Sequence, residues 1–118
     1  MPTRRNLLYT YLMSEEPPKL PEHSESEVKL IEELRARGLE DLEVVNLLTE
    51  WNIREEALIG KAPGDQIEFE RRRGRLYAAG NCRGDALESF EGARRQAIQL
   101  GREDLCEEIM REMDELGL

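Results

Sequence analysis

Residues that carry catalysis, metal binding or redox chemistry are few in this chain and poorly spaced for it. His23 is the only histidine. There is therefore no histidine pair for a metal, and no second base from which to build a Ser-His-Asp or Cys-His arrangement. Cys82 and Cys106 have no cysteine or histidine at metal-ligand spacing, and two cysteines are too few for a disulfide framework. They point to small, partly buried side chains in a reduced, cytoplasmic protein. Glu55-Glu56 and Glu107-Glu108 are neighbours in sequence, but adjacent residues on a helix face different ways, so neither supplies a clustered acid pair. The glycines match no nucleotide-binding spacing. The expectation is a non-enzyme with no catalytic residues, no cofactor and no metal.

One constellation remains. Arg71, Arg72, Arg73 and Arg75 form the only basic run. On a helix Arg71 and Arg75 lie one turn apart and point the same way, so their guanidinium groups can converge on a carboxylate or a phosphate. The alternative is a solvated face paired with Glu68, Glu70 and the acids of the first half. Trp51, the only tryptophan, continues an apolar stripe and reads as core; exposed, it would instead be a contact anchor.

These residues sit in 118 residues of which 36% are charged, with 26 acids against 17 lysines and arginines and a net charge of −9. That balance argues against DNA or RNA as the main partner, because phosphate binding is driven by cationic side chains. The charge is localised: residues 22–60 carry −7 and residues 61–118 carry −3, whereas residues 1–21 carry +1. Aromatics are only 5%, so a core of Leu, Ile, Val and Ala is expected, as in helical proteins. The longest apolar stretch, Asn6 to Met13, falls far short of the roughly 20 residues that span a bilayer, and it runs into Glu15-Glu16 with no small-residue cleavage site. It reads as mature protein and as a docking segment around Tyr9 and Tyr11, placed in a partner or in a groove of its own chain.

Pro17, Pro18 and Pro21 make Ser14 to His23 a linker, so residues 1–23 are read as an apolar segment with a proline-rich tether. Ser24 with Glu27 three residues on is a capping-box signal for a helix that buries Val28, Ile31 and Leu34 and stops at Gly38. Leu42, Val45, Leu48 and Trp51 form a second stripe that Asn52 can end, and Ile53 to Ile59 makes a short third helix before the breaker run Gly60 to Gly64. Residues 24–60 are thus expected to form a three-helix bundle. Over residues 65–118, Asp65 can cap a helix ending at Gly80-Asn81. Ala86, Phe90, Ala93, Ala97 and Leu100 mark the next helix, which Gly101 closes, and Leu105, Ile109, Met113 and Leu116 repeat the spacing. Six helices and no sheet are expected.

Gly74, Tyr77, Ala86, Phe90 and Ala93 are in register with a tetratricopeptide repeat, which this stretch resembles. The resemblance implies an all-α hairpin over about residues 66–100 with a capping helix behind it. It also implies a groove in which Arg71 and Arg75 receive an acidic or C-terminal peptide while Tyr77 and Phe90 support the wall. Leu34 to Leu39, followed by Leu47-Leu48 and Asn52 to Ala57, is similar to a ubiquitin-associated three-helix fold. The resulting expectation is an all-α adaptor or small chaperone-like factor whose partner is another protein or peptide, touched through Arg71, Arg72, Arg75, Tyr77 and Trp51, with no membrane partner. The other reading is an acidic inhibitor or nucleic-acid mimic, in which Glu32, Glu33, Glu40, Asp41, Glu43 and Glu50 stand in for phosphates on a basic protein surface.

Overall fold

Gly38 adopts the left-handed φ of +75° that closes a helix, and three residues later the Asp41 side chain accepts the N–H groups of Glu43 and Val44 at 2.9 and 3.2 Å to open the next. In the computed structural model, which describes the backbone of residues 21–118 and the side chains from residue 26, this turn joins α1 (Pro21–Arg37) to α2 (Leu42–Ala57). Three further helices follow, α3 (Pro63–Ala79), α4 (Arg83–Gln99) and α5 (Glu103–Glu115), with no strand among the described residues. The chain is all-α. The segment around Tyr9 and Tyr11 lies outside the described residues.

The last three helices end alike. At Asn81, Gly101 and Gly117 the chain turns left-handed, with φ of 62°, 71° and 75°. The next amide reaches back five residues, Cys82 N–H to Tyr77 O at 2.8 Å, Arg102 N–H to Ala97 O at 2.9 Å and Leu118 N–H to Met113 O at 2.9 Å. This closure satisfies orphan carbonyls and reverses the chain within a few residues, so α4 folds back along α3 and α5 along α4. At the first of these turns Asn81, not Gly80, takes the left-handed position, as asparagine tolerates it.

Three local expectations change. The first helix begins at Pro21, not at Ser24, so the tether is shorter than residues 14–23: proline fits the first helical turn, where its missing N–H is not needed. Likewise α3 starts at Pro63, ahead of Asp65. Asn52 does not stop α2, and one helix replaces the two expected, so residues 24–60 form a helix pair, not a three-helix bundle. Asn52 stays helical while its Nδ2 donates to the Leu48 carbonyl at 3.2 Å, Trp51 and Glu55 on either side are buried, and no glycine or proline intervenes before Gly60.

The core has two parts that share α3. Leu30 and Leu34 of α1, Val44, Leu48 and Trp51 of α2, and Phe69 and Leu76 of α3 make one cluster. Ile67 of α3 joins Phe90, Ala93 and Ala97 of α4 and Ile109 and Met113 of α5 in the other. Between α3 and α4 the approach is very close. A Cβ at Gly74 would lie 2.6 Å from the Phe90 ring, and Ala86 is fully buried. Glycine and alanine at these positions are what allow a large ring to fill the space between the helices. Not every expected core residue is inside: Val28 is 54% and Leu42 is 73% exposed. The buried line of α2 runs Val44, Leu48, Trp51, Glu55, which turns Leu42 to the opposite side.

Candidate functional site

The arginine run lies on α3, the helix shared by both core clusters, and each of its guanidinium groups faces a carboxylate of this same chain. Arg71 and Arg75 do converge on one carboxylate, as their spacing requires, but that carboxylate is Glu112 of α5. Arg71 donates to its Oε1 from Nη2 at 3.0 Å and from Nε at 3.3 Å, and Arg75 from Nη2 at 3.1 Å and through its Nε to Oε2. Arg71 also reaches Glu108 at 3.4 Å, and its side chain is only 11% exposed. Arg72 points to the other side of α3. Its Nε donates to Glu27 of α1 at 2.7 Å and its Nη2 to Glu55 of α2 at 2.7 Å. Arg73 pairs with Glu70 and lies over the Phe69 ring, 4.9 Å from its centroid.

Arg71, Arg72 and Arg75 therefore tie helices together, whereas Arg73 pairs within α3. An acidic peptide would have to displace Glu112 before Arg71 and Arg75 were available to it. Burial works to raise the Glu112 carboxyl, but the Arg75 and Arg71 guanidinium groups outweigh it and hold the group below the ordinary carboxylate value of 4.5. A carboxyl depressed in the folded state contributes stability that is present above 4.5 and lost as the pH falls below it. Glu112→Gln is expected to cost about 1–2 kcal/mol at pH 7, a charge-assisted bond discounted for its partial exposure. Urea unfolding at pH 7 and pH 3.5 checks this: the gap between wild type and variant narrows at the lower pH.

Trp51 is core. Its exposure is 1%, and its ring stacks on Phe69 with centroids 5.7 Å apart and planes at 10°. Arg72 covers the indole, 5.4 Å from the ring centroid. As an anchor for a partner Trp51 is out of reach. Tyr77 is half-buried, and burial raises its hydroxyl above the ordinary tyrosine value. It forms part of the wall of a shallow groove of about 350 Å³ between α3 and α4, lined by both signs of charge, among them Glu70, Arg73, Glu88 and Arg95. Phe90 is wholly buried and shapes no groove surface.

Of the six carboxylates expected to imitate phosphates, three are gathered onto one arginine. Arg37 holds Glu33 at 2.8 Å, Asp41 at 3.1 Å and Glu43 more closely still. Cys82 donates to Asp85 at 3.1 Å, a contact that with burial raises its thiol and leaves it a poor nucleophile. Among the described residues no group of histidine, cysteine, aspartate or glutamate is arranged to hold a metal ion, and no helix is long and apolar enough to cross a membrane.

What sequence reading missed lies on the outer side of α2. Leu42, Asn46, Thr49, Ile53 and Ala57 follow one line along the helix and are all exposed. Leu42 and Ile53 are 73% and 66% exposed, the two highest values among the large apolar side chains of the described residues, and Leu58 beyond them is 59% exposed. Exposed Glu50 and Glu56 flank the line. The signal was in the sequence: α2 has more apolar residues than one helical stripe can bury, so some had to face away from the core. No known family model, curated protein or solved structure matches this chain.

Proposed function

We propose that the chain is a non-catalytic protein-interaction module, a short array of helical hairpins of the tetratricopeptide kind in which α1–α2 and α3–α4 are the hairpins and α5 is the terminal helix. The observation that carries the reading is the pair Leu42 and Ile53, set outward on α2 within the region of net charge −7. An isolated exposed leucine is ordinary, whereas two large aliphatic side chains on one helical line, rimmed by carboxylates, suit an amphipathic partner segment with basic flanks. The arginines of α3 are tied to Glu112, Glu27, Glu55 and Glu70, so the reading places the partner on α2 in preference to the acidic peptide that the arginine run first suggested.

The test uses a synthetic amphipathic peptide with lysine flanks and fluorescence anisotropy. Leu42→Glu with Ile53→Glu is expected to weaken its binding by about tenfold or more, which corresponds to about 1.4 kcal/mol. Binding also weakens between 0.05 and 0.5 M salt, values chosen to carry the rim charges through the screening range. If an acid-flanked peptide binds instead, and Arg71→Glu with Arg75→Glu abolishes its binding, the partner lies on α3 and this reading fails.

A further inference from the structure

The chain carries its own segment with the chemistry the α2 face should accept. Arg4 and Arg5 are followed by Leu7, Leu8, Tyr9, Tyr11, Leu12 and Met13, and no acid occurs before Glu15. We infer that residues 4–13 dock in cis on the outer face of α2, covering Leu42 and Ile53 and competing there with a partner; the inference rests on the reading of that face as an interaction surface.

Three observations support this occupant over any other. The first is charge: the segment carries +2 and residues 22–60 carry −7. The second is reach. Seven residues, Ser14 to Leu20, separate Met13 from the start of α1, and an extended tether of that length spans up to about 25 Å. Leu42 and Ile53 are eleven residues apart on one helix, or about 16 Å, so the tether spans the whole face. The third is direction. Arg72 grips Glu27 and Glu55 at once, which sets the first half of α1 beside the last half of α2. The chain thus enters α1 at the Leu58 end of α2, not at the far end near Leu42. A segment held this close has an effective concentration in the millimolar range, so even a weak contact is largely formed.

Disulfide trapping in the full chain tests the inference. In a Cys82→Ser/Cys106→Ser background, Leu12→Cys is paired with Ile53→Cys, and in a control with Met110→Cys, which is exposed on α5 at the other end of the helix order. Under mild oxidation the first pair is expected to close within one chain about tenfold faster than the control, because docking holds the two thiols at high effective concentration. Equal rates, or a disulfide-linked dimer as the main product of the first pair, would overturn cis docking; the dimer would assign the face to a second copy. A second measurement needs no cross-link. With Leu12 intact, Leu8→Asp with Tyr11→Asp should speed maleimide labelling of Ile53→Cys several-fold and leave Met110→Cys unchanged, and an unchanged rate at both positions counts against docking. The two readings fail separately. Fast closure with no loss of peptide binding in the Leu42→Glu/Ile53→Glu chain removes the partner and keeps the cis contact, and the opposite pair of results removes the cis contact alone.

Discussion

Phe90→Ala lowers the free energy of unfolding by about 3–5 kcal/mol, the range for deleting a large ring from a tight core, and it reverses the sign of Gly74→Ala. The ring is fully buried between α3, α4 and α5, packed with Ile67, Ala93, Ala97, Ile109 and Met113. Around it the helices have already approached as far as Gly74 and Ala86 allow, so they cannot close over the space it leaves. In the wild type a Cβ at position 74 meets three atoms of the Phe90 ring at 2.6, 2.7 and 3.1 Å. The ring has no room to yield, and Gly74→Ala costs about 1–3 kcal/mol as overpacking, despite the helix propensity that alanine adds. With Phe90→Ala in place the obstruction is gone. Alanine at 74 then contributes its propensity of about 0.5–1 kcal/mol and fills a little of the cavity, so the second substitution becomes stabilising. Urea unfolding of the four chains of this cycle is the measurement. An additive result, with Gly74→Ala equally costly in both backgrounds, would mean that Gly74 is required by something other than the ring.

The same pair shows what the sequence made legible. Gly74, Tyr77, Ala86, Phe90 and Ala93 were in register with a helical hairpin, and the close approach expected of that spacing is where the helices meet. Helix ends at Gly38 and Gly101 were legible because left-handed closure is a local property of a few residues. Asn52 misled for the reverse reason. Its ability to end a helix is local, but Trp51 and Glu55 are held by contacts with α3, and tertiary contact overrode the local signal.

The arginine run was legible as chemistry but not as an address. Nothing local ties position 71 to position 112, and convergence on a carboxylate describes a peptide clamp and an internal tie equally well. One signal was available. Glu108 and Glu112 on the last helix have the same one-turn spacing as Arg71 and Arg75, so two helices with matched rungs had been written into the chain. Glu55 carried a second: a carboxylate in register with Val44, Leu48 and Trp51 must be buried, and a buried carboxylate needs a cation. The outward Leu42 and Ile53 are hidden in the sequence because Leu42 is in register with Val45 and Leu48, and only the packed line Val44, Leu48 and Trp51 shows which side of α2 faces the core.

That need is why Arg72→Ala is expected to be the most damaging charge substitution in the protein, at about 3–5 kcal/mol. The Glu55 side chain is 3% exposed and takes a hydrogen bond of 2.7 Å from Arg72, while its contact with the largely exposed Arg54 is 3.5 Å long. Without Arg72 the carboxylate keeps its desolvation cost and loses a compensating charge held at hydrogen-bond distance. Glu27 on α1 loses its partner in the same step, and Trp51 loses the guanidinium that covers its ring, so the joint between α1, α2 and α3 loosens as a whole. The tie itself adds little net stability, because two charges have been taken from water to make it. Its larger contribution is to fix which faces of the three helices meet. Arg72→Leu combined with Glu55→Leu should therefore recover part of the stability lost by Arg72→Ala, since the apolar pair fills the site and removes its most buried carboxylate, while Glu27, 20% exposed, still lacks its arginine. The two effects can be separated by urea unfolding followed at Trp51 fluorescence. If Arg72→Ala costs no more than the roughly 1 kcal/mol of an exposed pair, the site is wetter than its burial indicates. If the double leucine chain is stable but its Trp51 emission shifts to that of a solvated indole, the pair is what sets the order of the helices.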